Sequence, residues 1–227
     1  MIIGNGLIGS AFKLRLLPDE VLIFASGVSN SKEVNEDLFQ RELDLLLTTI
    51  KQFPRFKLVY FSTASVMDPN LQDDHYVKHK LRCERLVVTN CKSYLILRVT
   101  NVVGKSSNPF TVFNFLSEKI KCEEPFEIWQ NGCRNFVDIS DLVEITISLL
   151  HENIPVNSFI LANPYFYSVP EIVERLEIAI GKKANCRAVD KGTCFRPELS
   201  ETLSFYEKTN FKFHENYLDL MIQKYLQ

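Results

Sequence analysis

Ile2-Ile3-Gly4-Asn5-Gly6-Leu7-Ile8-Gly9 is the stretch from which the fold of this 227-residue chain is read. Two β-branched residues make a very short strand, and glycines in a Gly-x-Gly-x-x-Gly spacing follow at once. Leu7 to Leu17 has the composition of a helix, which Pro18 ends. In a strand–turn–helix unit of this kind the glycines permit a tight turn, close approach of backbone to a pyrophosphate, and close packing of helix on strand. The helix start adds N–H donors and the positive end of a dipole. The stretch therefore predicts a diphosphate-binding turn and opens an α/β fold.

Moving outward, Val21-Leu22-Ile23-Phe24 is continuously apolar, as a parallel strand covered on both faces requires. Ala25-Ser26-Gly27 begins a loop of small residues. Asn35 to Gln52 predicts a helix with Leu38, Leu43, Leu45, Leu46 and Ile50 near its buried side, and Lys57 to Phe61 the next strand. A Tyr76–Val88 helix, a Tyr94–Val99 strand and an Asn101–Gly104 turn opening a new region follow. Phe110 to Ile120 is helical, and Asn131-Gly132 predicts a hairpin between Phe126–Trp129 and Arg134–Val137. Asp138–Leu150 is a helix and Ser158–Leu161 a strand. Ser168-Val169-Pro170-Glu171 is a capping box for a helix that Gly181 stops. Ala184–Val189 is a further strand, and two helices finish the chain. Alternating strands and helices predict a mainly parallel, doubly wound sheet.

Composition narrows the function classes. Hydrophobic residues at 46% and charged residues at 24% allow an ordinary globular core. The net charge of −2 provides no electrostatic basis for binding nucleic acid or an anionic membrane. No apolar run approaches the length of a membrane span and no secretory leader pattern is present, so a soluble, cytoplasmic protein is expected. Six cysteines lack any Cys-x-x-Cys pairing and read as reduced thiols. His75 and His79 could grip a metal only with a third ligand and are read as site-rim or surface residues, so no metal is expected.

The chemistry concentrates in Phe61-Ser62-Thr63-Ala64-Ser65-Val66-Met67 and His75-Tyr76-Val77-Lys78-His79-Lys80. A phenol and an ammonium four residues apart share a helix face, which suits a proton-transferring tyrosine beside a fixed charge. Leu97-Arg98-Val99-Thr100-Asn101-Val102-Val103-Gly104 and Arg134-Asn135-Phe136-Val137-Asp138 complete the pattern. With these motifs the chain resembles the extended short-chain dehydrogenase/reductase superfamily, in particular its NAD-dependent epimerase/dehydratase branch that modifies nucleotide sugars. The resemblance implies a Rossmann-like fold with a small C-terminal substrate-binding region. Residues 1–105 and about 134–165 would form the cofactor domain, and about 106–133 and 166–227 the substrate region.

It also implies roles. Tyr76 would be the general acid/base, Thr63 would orient the reacting sugar oxygen, and Lys80 would lower the phenol's pKa and hold the nicotinamide ribose. NAD or NADP would lie over Gly4, Asn5, Gly6, Leu7, Ile8 and Gly9, and over Ala25, Ser26 and Gly27, with Ser62 close by. Asn101, Arg134 and Arg196 would hold the nucleotide-sugar substrate, the arginines through forked hydrogen bonds to its diphosphate. Ala64 stands where 4,6-dehydratases carry an acidic pair, and Ser62–Met67 lacks the cysteine of 3,5-epimerases. A 4-epimerase or 4-ketoreductase of surface-polysaccharide synthesis is left. A homodimer through the Asn35–Gln52 and Tyr76–Val88 helices is expected on the same resemblance.

The chain departs from the family where only about twenty residues separate Gly4 from Ala25, room for one helix and one strand. The family's second and third strands are inferred to be missing, and with them the acid that reads the adenosine ribose. If Val21–Phe24 is instead the second strand, its end offers no acid either. An alternative function follows: a relative that binds a nucleotide sugar or a partner chain without catalysis.

Overall fold

The computed structural model describes residues 1–106, 108–152 and 156–226. The elements in order are β1 (Ile2–Ile3), α1 (Leu7–Phe12), β2 (Val21–Phe24), α2 (Glu36–Gln52), β3 (Lys57–Thr63), α3 (His75–Asn90), β4 (Tyr94–Val99), β5 (Asn101–Val103), α4 (Val112–Lys121), β6 (Phe126–Trp129), β7 (Cys133–Arg134) and β8 (Phe136–Asp138). Then come α5 (Ile139–His151), β9 (Ser158–Leu161), β10 (Tyr167–Ser168), α6 (Val169–Ile180), β11 (Cys186–Val189), α7 (Ser200–Lys208) and α8 (Tyr217–Leu226). They form two compact units: Met1–Val99 with Ile139–Leu161, and Thr100–Asp138 with Ala162–Gln227.

The first unit is a Rossmann-like α/β layer structure around a five-stranded parallel sheet in the order β1-β2-β3-β4-β9. Strands alternate their side chains between faces. Leu22, Phe24, Leu58, Tyr60 and Ile96 meet Leu43, Leu46 and Ile50 of α2 and Cys83 and Val87 of α3. On the opposite face Phe12 of α1 packs on Phe61, and α1 packs with α5. Both faces of β2 are therefore covered, and all four of its residues are buried.

β1 lies at an edge, with β2 as its one neighbour among the described residues. In a full doubly wound sheet of order 3-2-1-4-5-6, strands 2 and 3 would lie beyond it. Crossovers through α1 and α2 step in the same direction across the sheet, yet the two helices lie on opposite faces, so the connections have opposite hands. Parallel crossovers are right-handed in nearly all cases, which makes the α1 connection the exceptional one. α1 keeps the face it would hold if the chain next turned outward to strand 2. Here it returns directly to the position of strand 4.

Several expectations are corrected. α1 ends at Phe12 rather than Leu17, because no core lies beyond it: Leu14 and Leu16 are 95% and 94% exposed. On α2 the buried stripe runs Phe39, Glu42, Leu43, Leu46, Thr49 and Ile50, leaving Leu45 exposed. Asn101–Val103 is a strand, paired in parallel with β8, not a turn. No hairpin forms at Asn131-Gly132, since neither residue has the positive φ that the tight hairpin turn demands. β6 pairs instead with β11, β7 with β10 and β8 with β5. Cys133 and Cys194, expected as thiols, form a disulfide across 61 residues of sequence.

The second unit's core joins α4, α6 and α8 around Phe113, Phe136, Tyr167, Ile172 and Leu218. Asp138 accepts hydrogen bonds from Lys224 Nζ and Tyr225 Oη, fastening α8 to the end of β8. Among the described residues no helix is long and apolar enough to cross a membrane.

Candidate active site

Parallel α/β sheets bind ligands beyond the carboxyl ends of their strands, and β1, β2 and β3 deliver the Gly4–Gly9 turn, the Ala25–Gly27 loop and Thr63 to that edge. The three glycines divide the work. Gly4 has φ +118°, and a Cβ there would strike the Ala25 carbonyl; at Gly9 one would strike Gly4. Gly6 faces open space, with nothing within 4 Å of the added atom. Gly4 and Gly9 thus serve packing, and Gly6 leaves backbone open to a ligand. Asn5 is held by Ser10 Oγ, which donates to its carbonyl, and by Lys13 Nζ, which donates to its Oδ1. Leu7 and Ile8 sit in the first turn of α1.

At the end of β3, Ser62 is buried, and among the described residues its Oγ has no hydrogen-bond partner. Thr63 Oγ1 accepts from the Ser65 amide at 3.2 Å, starting a short 3-10 turn over Ala64–Met67. Asp74 caps α3 by accepting from the Val77 amide. Tyr76 is half-buried one turn before Lys80, whose Nζ lies 5.8 Å from its ring centre. Arg98 on β4 grips Glu84 of α3 through Nε at 3.1 Å and Nη2 at 2.7 Å, tying the Tyr76 helix to the sheet.

Lys80 is not a free ammonium. It is 3% exposed and donates to Glu42 Oε1 at 2.9 Å and to Tyr60 Oη at 3.2 Å. Glu42, itself 2% exposed, also accepts from Tyr60 Oη, from the Val28 amide at 2.7 Å, and from His79 Nε2 at 2.8 Å. Burial alone would raise the Glu42 carboxyl, but the Lys80 charge and the hydrogen bonds bring it down to about 2. Burial would lower the Lys80 pKa, but the Glu42 charge, the Tyr76 and Cys83 charges and the hydrogen bond to Glu42 together raise it. Tyr76 is pushed up by burial and by Glu42, with Lys80 pulling the other way, so the phenol is protonated at neutral pH.

Gly27 lies directly on this pair: a Cβ there would fall 2.7 Å from both Glu42 Oε1 and Lys80 Nζ. His79, expected at a rim, is buried and stacks on Phe39 with ring centres 4.4 Å apart. Glu42, His79 and Cys83 could together ligate a metal, but the Lys80 ammonium already neutralises the carboxylate. Sequence reasoning missed Glu42 and Tyr60 and placed His79 at the rim or surface, where the structure buries it. The available signal was a glutamate inside the i, i+3, i+4 stripe of α2.

In the second unit, Asn101 Nδ2 donates to the Asn135 carbonyl at 2.9 Å. Asn135 is 3% exposed; its Nδ2 donates to the Asn163 and Tyr165 carbonyls, while its Oδ1 accepts from Thr100 Oγ1 and the Asn163 amide. A carboxylate could not donate to those carbonyls, so this buried position suits an amide. Arg134 is half-buried, and its Nη1 donates to the Cys133 carbonyl at 2.7 Å. Arg196 is exposed and stands 5.4 Å from the centre of the Phe166 ring.

A strand, an open glycine turn and a tyrosine–lysine helix on a parallel sheet belong to the Rossmann-like, NAD-binding class of proteins. The family model described as "NAD dependent epimerase/dehydratase family" matches residues 9–160, and the chain belongs to that family. No curated protein sequence matches it. Among solved structures it is similar to the UDP-glucuronic acid 4-epimerase of Bacillus cereus in complex with UDP-glucuronic acid and NAD. That match has a TM-score of 0.70 and 18% identity over 90% of this chain and 76% of that one. MoeE5 in complex with UDP-glucose and NAD matches with TM-score 0.72 and 17% identity over 90% and 78%. The dTDP-4-dehydrorhamnose reductase of Bacillus anthracis with NADP matches with TM-score 0.69 and 14% identity over 91% and 80%.

Proposed function

We propose that the chain is an NAD(P)-dependent nucleotide-sugar 4-epimerase or 4-ketoreductase of surface-polysaccharide synthesis, cytoplasmic and dimeric through α2 and α3. The observation that carries this reading is the Lys80 ammonium 5.8 Å from the Tyr76 ring, at the edge where the glycine turn opens. The turn fits a diphosphate at Gly6. The adenosine end has less: β2 ends in Ala25-Ser26-Gly27, without an acid for a ribose.

A bound nicotinamide would supply hydride chemistry. The chain's own residues would do the rest. Thr63 Oγ1 accepts from Ser65, and its hydrogen would donate to the sugar's C4 oxygen. Tyr76, protonated at neutral pH, would give its proton to that oxygen in the reductive direction. The Glu42–Lys80 pair provides less net charge to stabilise a tyrosinate than a lone ammonium would, which favours ketone reduction over alcohol oxidation.

The test has two parts. NADH and NADPH are titrated against nicotinamide fluorescence and melting temperature, since a ligand of the folded state raises Tm by mass action. Tyr76→Phe is then assayed on nucleotide 4-ketosugars, with a loss of about 10²–10⁴-fold in rate expected. Full activity in Tyr76→Phe would remove Tyr76 from the acid/base role. The engagement of Lys80 by Glu42 favours a second reading, a nucleotide-sugar-binding relative without hydride transfer. Failure of both dinucleotides to bind at millimolar concentration would select it.

A further inference from the structure

The Cys133–Cys194 disulfide joins two segments of the second unit that each carry an arginine. Arg134 follows Cys133 on β7, and Arg196 lies two residues beyond Cys194. Arg196 stacks on Phe166, the residue before Tyr167, and Tyr167 is registered opposite Arg134 in the β7–β10 pair. Among the described residues neither guanidinium has a carboxylate within ion-pair distance, while Arg134 is buried enough for desolvation to lower its pKa. A partly desolvated cation without an anion is a site in want of one.

Among the described residues few hydrogen bonds hold the segment between β11 and α7, although Phe195, Pro197 and Leu199 are half-buried. Asn131 binds its start, through the Lys191 carbonyl and Asp190. Beyond Gly192 the disulfide and the Arg196–Phe166 contact anchor it, and an exposed cation–π contact is a weak tie. Cys194 is exposed and Cys133 half-buried, so a reductant can reach the outer sulfur.

We propose that this disulfide is a redox latch on an anion site made by Arg134 and Arg196. The oxidised chain holds the diphosphate of a nucleotide sugar; the dithiol form lets Arg196 swing away and releases it. The proposal rests on the reading of these arginines as diphosphate ligands. In the opening step a thiolate of a small dithiol or a dithiol protein attacks the Cys194 sulfur, and Cys133 leaves as thiolate. The reductant's second thiolate then displaces Cys194. Two electrons and two protons pass to the cysteine pair, and the reductant becomes a disulfide. Exposed disulfides in reducing compartments commonly serve as such sensors.

UDP and dTDP are titrated calorimetrically into the oxidised chain, into the chain held in excess dithiothreitol, and into the same sample after reoxidation. Circular dichroism at the titration temperature verifies that each form is folded. Binding at least tenfold weaker on reduction, recovered on reoxidation, and weakened in oxidised Arg134→Gln and Arg196→Gln is the expected result. The Cys133→Ser/Cys194→Ser double variant should match the reduced chain. A disulfide that only stabilises the unit would lower Tm on reduction and leave the dissociation constant unchanged. Equal affinity in both redox forms, with loss in Arg134→Gln, overturns the latch and leaves the arginine reading standing. No binding in any form, or undiminished binding in both arginine variants, overturns that reading and the latch with it.

Discussion

Lys80 and Arg134 are both cations drawn partly or wholly out of water, but only Lys80 has an anion of its own. Glu42 meets it at 2.9 Å with three further hydrogen bonds arranged around the carboxylate. Among the described residues Arg134 has a carbonyl and no carboxylate beside it. The contrast teaches where a ligand's charge is wanted. In the first unit the cation is already neutralised, and a ligand must work around a settled pair. In the second unit the positive charge is unmatched, and an anion would complete it.

The sharpest way to break the contrast is to remove the anion from the first unit. Glu42→Gln leaves Lys80 buried without a counter-charge, and unpairing one member of such a pair costs about 3–5 kcal/mol. Urea unfolding would show it as a fall in midpoint at unchanged slope. The double variant Glu42→Leu/Lys80→Met should recover part of the loss, since it removes both charges together. If Glu42→Gln unfolds like the native chain, the pair is not what holds α2 to α3.

Acid titrates the same carboxylate without mutation. Its folded pKa, about 2, lies below the ordinary 4.5. The contribution is therefore fully present above 4.5 and is lost as pH falls from there toward 2. A depression of that size corresponds to about 3 kcal/mol. Urea midpoints at pH 7 and pH 3 should diverge in the native chain, and by less in Glu42→Gln.

The disulfide holds the second unit by restricting its unfolded chain. Reduction, or Cys133→Ser, should cost about 2–4 kcal/mol, visible as a lower Tm under reducing conditions. Asn135→Asp probes the same unit more finely. The carboxylate cannot donate to the Asn163 and Tyr165 carbonyls, and a stability loss of about 1–3 kcal/mol is expected from those unmet bonds. Native stability in Asn135→Asp would show that the amide's two donated bonds contribute nothing net.

Much of this was legible in the chain. Val21–Phe24, Tyr94–Val99 and Ser158–Leu161 occupy their predicted strands, and the continuous apolar run of Val21–Phe24 is buried on both faces. Ser168 caps α6 and Gly181, at φ +75°, ends it, as local rules require. The edge position of β1 was legible too, as a shortage of residues between Gly4 and Ala25. What was hidden depends on chain segments far apart. Glu42 and Lys80 are 38 residues apart, and Cys133 and Cys194 are 61 apart; no spacing rule joins either pair. The strand partners after Asn131-Gly132 were misread because the dipeptide signals a hairpin only if its φ angles become positive, and tertiary pairing decided otherwise.

The smallest expected effect separates the two units most cleanly. Arg134→Gln removes a desolvated charge that no carboxylate compensates, so stability should change by no more than about 0.5 kcal/mol and could rise. Lys80→Gln, by comparison, strands the Glu42 carboxylate and should destabilise the first unit by several times that amount. The two substitutions are chemically alike, each exchanging a cation for an amide. Their unequal cost in parallel urea titrations would come from the presence of Glu42 beside one cation and of no anion beside the other. Equal costs would mean that Arg134 has an anionic partner in solution, and the second unit's claim on a ligand's diphosphate would lose its electrostatic basis.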